Sequence, residues 1–198
     1  MEKYLQQQKT DCIKIVLFGP ESTGKTSLAV ELAKHYKTLF VQEFAREFLQ
    51  KKMDEQNKVC EIDDPIAIGQ MNSENILSKK ANRILFCDTD LLTTATYSRL
   101  YFNNFCDPVI DKYSKENKYD LYLLLDIDIP WVKDDLRDRP NDRKLFLENF
   151  KEALKIMNQK KLGIVVITKN KFIKGLVTDG DLRLSLYTHL TLPTSSRG

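Results

Sequence analysis

The chain has 198 residues, of which 42% are hydrophobic and 30% are charged, a composition typical of one globular domain. Its 31 basic and 28 acidic residues are mixed along the chain, so no block of like charge predicts a nucleic-acid or membrane-surface partner. The four cysteines are scattered, without the spacing of a zinc site or the density of a disulfide framework. Because no secretory or membrane-spanning run is visible, we expect a cytoplasmic protein with reduced thiols.

Short apolar runs alternate with longer amphipathic stretches, which predicts an α/β fold with a mostly parallel sheet. Strands are predicted at residues 12–18, 38–43, 83–88, 119–126 and 162–168. Helices are predicted at residues 25–36, 44–52, 64–81, 93–101 and 142–158. Since ligands bind beyond the carboxyl ends of parallel strands, the polar residues that follow these strands are candidates for a site.

The stretch FGPESTGKTSL lies between the first predicted strand and the first long helix. It contains the pattern G-x-x-x-x-G-K-[ST], in which backbone N–H groups and the lysine hold nucleotide phosphates and the hydroxyl binds Mg²⁺. The alternative is a tight turn that matches the pattern by chance. We predict an ATP-binding segment made of Gly19, Pro20, Glu21, Ser22, Thr23, Gly24, Lys25, Thr26 and Ser27.

Acidic residues follow two of the other predicted strands. Asp88 is a candidate ligand of Mg²⁺, together with Thr26, or else a helix cap. Asp90 is a candidate for substrate contact, although a capping role suits it at least as well. Glu43 could accept the proton of a substrate hydroxyl with Arg46 orienting the substrate, or the two could form an exposed helix pair.

Arginines are concentrated in the connection between residues 126 and 143, which also contains two prolines. Arg137, Arg139 and Arg143 could stabilise a transferring phosphoryl group if this connection closes over the site as a lid. The alternative is a solvated charged loop. We rank Arg137 and Arg139 ahead of Arg143.

The motifs GPESTGKT, VQEFAREF, FCDTDLLTT and YDLYLLLDIDIPWVKDDLRD occur in this order. They resemble the ribosylnicotinamide kinase domain of bacterial bifunctional NAD-biosynthesis enzymes, and related ATPase or kinase domains of unassigned substrate. The resemblance covers residues 14–150 and implies a P-loop, nucleoside-kinase-like fold. It implies transfer of the ATP γ-phosphate to the ribose hydroxyl of nicotinamide riboside, in the presence of Mg²⁺.

The same resemblance implies roles for individual residues. The phosphates lie on 19–26, Glu43 and Arg46 act on the acceptor side, and Asp88 is the acid at the strand end. The catalytic set is Lys25, Glu43, Asp88, Arg137 and Arg139. Glu43 is the first choice for the base and Asp88 the second, since Asp88 has the competing task of binding metal.

We divide the chain into an N-terminal tail (1–11), a kinase domain (12–158), a segment 159–186 and a last stretch 187–198. Residues 153–186 resemble half of a CBS repeat such as those attached to sugar-phosphate isomerases. Alternatively, 162–168 forms the last strand of the kinase and NKFIKGL its closing helix. The last stretch resembles a non-native translated end and is expected to be disordered. The adenylyltransferase domain of the related enzymes has no room before the first strand, so nucleotidyl transfer is not expected.

Two further functions are compatible with these motifs. One is an ATP-binding regulatory module that uses the CBS-like tail, and the other is a kinase for a different nucleoside or sugar. A GTPase is disfavoured because TKNK at 168–171 lacks the aspartate of the guanine-reading N-K-x-D pattern.

Overall fold

The computed structural model of the chain describes residues 1–54, 63–133, 136–137, 139–158, 164–169 and 172–177. Its elements in chain order are α1 (Glu2–Leu5), β1 (Ile13–Phe18), α2 (Lys25–His35), β2 (Leu39–Val41), α3 (Phe44–Asp54), α4 (Asp63–Ser78), β3 (Ile84–Asp88), α5 (Leu91–Tyr101), α6 (Pro108–Glu116), β4 (Leu121–Leu125), α7 (Arg143–Asn158), β5 (Ile164–Lys169) and β6 (Phe172–Val177).

The strands of the described ranges form one sheet in the order β2-β3-β1-β4-β5-β6. All neighbours pair in parallel except β6, which pairs antiparallel with β5 at the edge. Crossover helices between parallel strands make this the predicted α/β class.

The central strand β1 is covered on both faces, as its nearly continuous apolar sequence requires. Val16 and Phe18 point to one face, where the ring of Phe18 lies 4.7 Å from that of Phe150 on α7. Leu17 points to the other face and packs against Ala29 of α2. The sheet is therefore the middle of three layers, with the loop after β1 held rigidly at its carboxyl edge.

The predicted elements agree with the structure to within a few residues, but three observed elements, α1, α6 and β6, were not predicted. Helix α6 begins after Asp107, whose side chain accepts hydrogen bonds from the N–H groups of Val109 and Ile110. The prediction of a closing helix at NKFIKGL was wrong, because the structure has strand β6 there. Strand β6 contains Phe172, Ile173 and Val177, which favour strands, and it pairs antiparallel with β5.

The N-terminal segment is docked on the domain. Leu5 of α1 is fully buried, and the side chain of Asn117 donates to its carbonyl and accepts from the N–H of Gln7. The part of the CBS-like segment beyond residue 177, and the stretch 187–198 predicted to be disordered, lie outside the described residues. Within the described part of the chain, no helix is both long and apolar enough to cross a membrane.

Candidate active site

The predicted phosphate loop lies at the carboxyl end of β1, between β1 and the start of α2. Strands β3 and β4 flank β1 on opposite sides, so the loop opens where the sheet order reverses. This is the usual ligand position in an open α/β sheet. The loop carries its own brace, because the hydroxyl of Thr23 donates to the carbonyl of Pro20 at 2.9 Å.

Glycine is required at the first position of the loop. Gly19 has a φ of 137°, and a Cβ there would lie 2.9 Å from the carbonyl oxygen of Leu125 at the end of β4. At the other end of the loop, Gly24 caps α2 without a side chain that could occupy the free N–H groups. These N–H groups and the positive end of the helix dipole are suited to phosphate oxygens.

Lys25 is almost completely buried at the first position of α2. Its ammonium donates to the carbonyls of Gly19 at 2.9 Å and Pro20 at 2.6 Å. Burial lowers the pKa of Lys25, and the carboxylates of Glu43 and Asp88 oppose that shift. Neutral carbonyls thus hold the ammonium beside the loop. Its hydrogen bonds to a charged phosphate group would be stronger.

Asp88 and Thr26 form a direct contact at the end of β3. The hydroxyl of Thr26 donates to Asp88 Oδ2 at 2.5 Å, and among the described residues Asp88 Oδ1 is buried without a hydrogen-bond partner. Burial raises the pKa of Asp88, while Lys25 and the Thr26 hydroxyl act to lower it. A hydroxyl and a carboxylate with an unused oxygen are a donor set that fits Mg²⁺, which binds few protein oxygens and completes its shell with water and phosphate.

Within the described ranges, no group of three or more His, Cys, Asp or Glu residues could hold a metal ion.

Glu43 and Arg46 line the same cavity as the phosphate loop. The cavity has a volume of about 820 Å³ and also takes in the segment from Glu21 to Ser27. Part of Glu43 reaches the cavity, yet burial of its carboxyl raises its pKa, against the effects of Lys25 and Arg46. The volume is within the range of small-molecule sites.

Asp90 has a structural role, which corrects its prediction as a substrate contact. Its Oδ1 accepts from the N–H and hydroxyl of Thr93, and its Oδ2 accepts from the hydroxyl of Tyr122 at 2.6 Å. Asp90 and Asp88 are both fully buried and outside the cavity lining, but among the described residues only Asp90 has both of its oxygens occupied by hydrogen bonds. Asp90 therefore caps α5 and ties it to β4.

The lid arginines occupy three different positions. Arg137 lines the cavity and donates to the carbonyl of Val132 at 2.8 Å. Arg139 is exposed outside the cavity lining, 5.2 Å over the ring of Tyr101 and 3.3 Å from Asp142. Arg143, ranked last from sequence, holds the lid on the phosphate loop by donating to the carbonyls of Ile129 and Ser22, both at 3.0 Å.

Sequence reasoning missed the cavity wall formed by α4 and part of α5. Gln70 and Ile66 of α4 line it, as does Thr94 of α5. Gln70 had one signal, because a polar residue next to Ala67 and Met71 on the apolar face of a helix needs a buried partner. Tyr97 and Tyr101 line the cavity and also pack on Phe146.

The chain matches a family model described as an AAA domain over residues 14–168. It is 32% identical over 151 residues to the trifunctional NAD biosynthesis/regulator protein NadR of Salmonella typhimurium, a match that covers 73% of this chain and 36% of the relative. The chain thus spans about a third of the length of the curated relatives that it matches.

Two solved structures show the same fold. A NadR protein in complex with NR superposes with a TM-score of 0.63 at 24% identity, over 93% of this chain and 53% of that chain. A deoxyadenosine kinase from M. mycoides gives a TM-score of 0.50 at 16% identity, over 88% of this chain and 97% of that chain.

The family resemblance drawn from the motifs is confirmed by these matches, and so is the P-loop α/β fold. With its phosphate loop, strand-end acids and central parallel sheet within the matched region, the chain belongs to the AAA-domain family.

Proposed function

We propose that the chain is an ATP-dependent kinase that phosphorylates the ribose hydroxyl of a nucleoside, with nicotinamide riboside as the preferred acceptor. One observation carries this proposal: the phosphate loop and the carboxylate of Glu43 line one cavity of about 820 Å³. A phosphate loop alone suits any nucleotide-binding protein. A proton acceptor beside a nucleoside-sized space favours transfer of the phosphoryl group to a bound hydroxyl.

In this mechanism the ATP phosphates lie on the loop and on the start of α2. The ammonium of Lys25 leaves its carbonyl partners for the β and γ phosphates, where it balances negative charge. Arg137, at the cavity wall, stabilises charge on the transferring group. Thr26 and Asp88 would hold Mg²⁺, which when bound supplies further charge neutralisation.

Glu43 takes the proton from the ribose hydroxyl. As that proton moves, the hydroxyl oxygen bonds to the γ phosphorus, the bond to the bridging oxygen of ADP breaks, and ADP leaves with the electron pair. A raised pKa makes Glu43 a stronger base near neutral pH than an ordinary glutamate. Asp88 suits the metal better than the proton, because one of its oxygens is engaged by Thr26.

The relatives guide the choice of acceptor. Their name refers to NAD biosynthesis, and one structure of the same fold was solved in complex with NR. Both support nicotinamide riboside as the preferred acceptor. The likeness in fold to a deoxyadenosine kinase supports a second candidate, a kinase for another nucleoside.

The test is incubation of the chain with MgATP and either nicotinamide riboside, deoxyadenosine or no acceptor, with ADP and phosphorylated nucleoside separated by chromatography. We expect nicotinamide mononucleotide to form in equal amount to the ADP released. Product formed from deoxyadenosine alone would mean that the chain is a kinase whose acceptor is deoxyadenosine rather than nicotinamide riboside. ADP release that no acceptor stimulates would overturn the kinase proposal.

A further inference from the structure

Gln70 of α4 joins the two strand ends that carry the candidate carboxylates. Its Oε1 accepts from the N–H of Phe44 at 2.9 Å, and its Nε2 donates to the carbonyl of Thr89 at 3.3 Å. Phe44 directly follows Glu43, and Thr89 directly follows Asp88. A single side chain thus spans the gap between the backbones that hold these two acids.

The sheet cannot maintain this gap by itself. β2 is an edge strand of three residues, and its ladder with β3 ends at the pair Val41 and Cys87. Glu43 lies two residues past that last pair. The contact made by Gln70 extends the link between the two strands beyond the end of their ladder.

The orientation of the Gln70 amide is determined by its partners. Because the N–H of Phe44 can only donate, the amide oxygen must face it, which leaves the NH₂ group for the carbonyl of Thr89. Gln70 is only 2% exposed, so loss of either partner would leave a buried polar group unsatisfied. Thr89 also has a φ of 79°, a strained value for threonine that its bonded carbonyl helps to hold.

The neighbouring Gly69 contacts the side chain of Phe44, whereas Gln70 contacts its backbone. A Cβ at Gly69 would lie 2.2 Å from the ring of Phe44, so that ring packs directly on the glycine. Gly69 and Gln70 therefore fix the ring and the backbone of Phe44, respectively, and with them the start of α3.

We propose that Gln70 is a positioning residue that sets the placement of Glu43 relative to Asp88 for phosphoryl transfer. This inference rests on the proposed function of Glu43 as the base. Gln70 lines the cavity through α4, yet its polar atoms are committed to backbone groups, so it acts on the reaction through Glu43 and Asp88. A displacement of the base by about 1 Å can lower a rate about a hundredfold.

The first variant is Gln70→Met, which keeps the side-chain length and removes both hydrogen bonds. We expect kcat to fall roughly ten- to a hundredfold, with the Kd for ATP within about twofold of wild type. A purely structural loss of folded protein would instead lower the apparent kcat and the fraction of chains that bind ATP by the same factor. The matched control is Asn75→Leu, on the same helix.

Asn75 is also buried, accepts from the N–H of Gln8 and donates to the carbonyl of Gln6, and it lies outside the cavity lining. We expect Asn75→Leu to lose comparable stability with kcat per folded molecule unchanged. Gly69→Ala is a second probe, since it displaces the ring of Phe44 while leaving both bonds of Gln70 in place. It should lower kcat, although alanine is favoured over glycine inside a helix.

A second readout does not depend on turnover. The carboxyl of Glu43 can be titrated by carbon NMR in wild type and in Gln70→Met. Its charged and titratable neighbours are Lys25 of α2, Asp88 of β3, Arg46 of α3, Arg137 of the lid and Tyr97 of α5. Because burial holds the pKa of Glu43 up, release of α3 should let that pKa fall towards its ordinary value.

The two readouts separate the inference from the proposed function. If wild type phosphorylates no acceptor, the proposed function fails and the titration alone decides the positioning role. An unchanged Glu43 titration in Gln70→Met, or an equal loss of kcat in Asn75→Leu, overturns the role of Gln70.

Discussion

Lys14 and Lys25 are both almost completely buried, at opposite ends of β1, and they differ in what surrounds the ammonium. Lys14 Nζ lies 3.0 Å from Glu74 Oε1, and Glu74 also accepts from the side chains of Gln7 and Tyr119. Among the described residues, the hydrogen bonds of Lys25 go to two backbone carbonyls. The first site is a closed ion pair with its hydrogen bonds satisfied, whereas the second can exchange its partners for phosphate.

The carboxylates at the two ends show the same contrast. Both oxygens of Glu74 accept hydrogen bonds, but among the described residues Asp88 Oδ1 has no partner. A buried acid costs free energy unless it is fully paired. The amino end of the sheet has the pairing of a structural network, and the carboxyl end retains the unsatisfied groups typical of a ligand site.

The largest expected effect is at Lys25. Lys25→Met should lower phosphoryl transfer about a thousandfold or more, because its ammonium is the positive charge that the phosphate loop itself holds for the β and γ phosphates. The melting temperature should stay near that of wild type, since within the described residues the ammonium donates to neutral carbonyls rather than to a carboxylate. Single-turnover transfer and thermal unfolding measure the two effects, and substantial remaining transfer would remove Lys25 from the mechanism.

Glu43→Gln should lower kcat by about a hundred- to ten-thousandfold, the usual contribution of a general base. Binding of ATP should change little, whereas Asp88→Asn should weaken ATP binding in the presence of Mg²⁺. Steady-state rates and calorimetric binding of ATP distinguish the variants. A Glu43→Gln variant with the wild-type rate would transfer the role of the base to Asp88.

The residues of the phosphate loop could be predicted because the motif is local and lies between a strand and a helix. The closeness of Glu43 and Asp88 could be predicted because strand ends in a parallel sheet meet at one edge, whereas their roles stay predictions. Asp90 follows the same strand as Asp88, and sequence alone could not separate them. Tyr122, which decides the role of Asp90, comes from β4, far along the chain.

Gln70 was missed and Arg143 was ranked last because their partners, too, are far away along the chain. Their partners are backbone groups of distant segments, namely Phe44 and Thr89 for Gln70, and Ser22 and Ile129 for Arg143. A contact with a backbone group leaves no pattern in the sequence of the partner. The strand β6 was missed because a short apolar segment is compatible with either helix or strand until its neighbour is known.

Lys14→Met tests the ion pair with Glu74 at the amino end of the sheet. It leaves Glu74 buried without its counter-charge and should destabilise the fold by about 3–5 kcal/mol, measured by urea unfolding. Activity per folded molecule should be unchanged. The double variant Lys14→Met/Glu74→Gln should recover much of the loss because both charges are gone, and no recovery would assign the effect to packing.

Asp90 should make the stability of the fold depend on pH. Burial, opposed by hydrogen bonds from Tyr122 and Thr93, raises its pKa from 3.8 to about 6. The folded state therefore binds the proton more tightly than the unfolded state. The contribution of Asp90 to stability is greatest at low pH and falls by up to about 3 kcal/mol as pH rises through the window between these two pKa values.

Asp90→Asn lacks this titration, so its stability relative to wild type should improve as pH rises through that window. Urea unfolding of both proteins without metal, at several pH values, measures the difference. A difference that stays constant with pH would mean that the Asp90 carboxyl does not titrate in that window.

The smallest effect is expected at Arg139, and it sharpens the distinction between residues that line the cavity and residues near it. The exposed pair of Arg139 with Asp142 is worth at most about 1 kcal/mol, and its guanidinium lies over Tyr101 outside the cavity lining. Arg139→Ala should therefore lower kcat only a few-fold. Arg137→Ala should lower kcat about a hundredfold, because Arg137 lines the cavity. Equal losses in the two variants would mean that the lid moves Arg139 into the site during turnover, and the position of Arg139 outside the cavity would then describe only the state before closure.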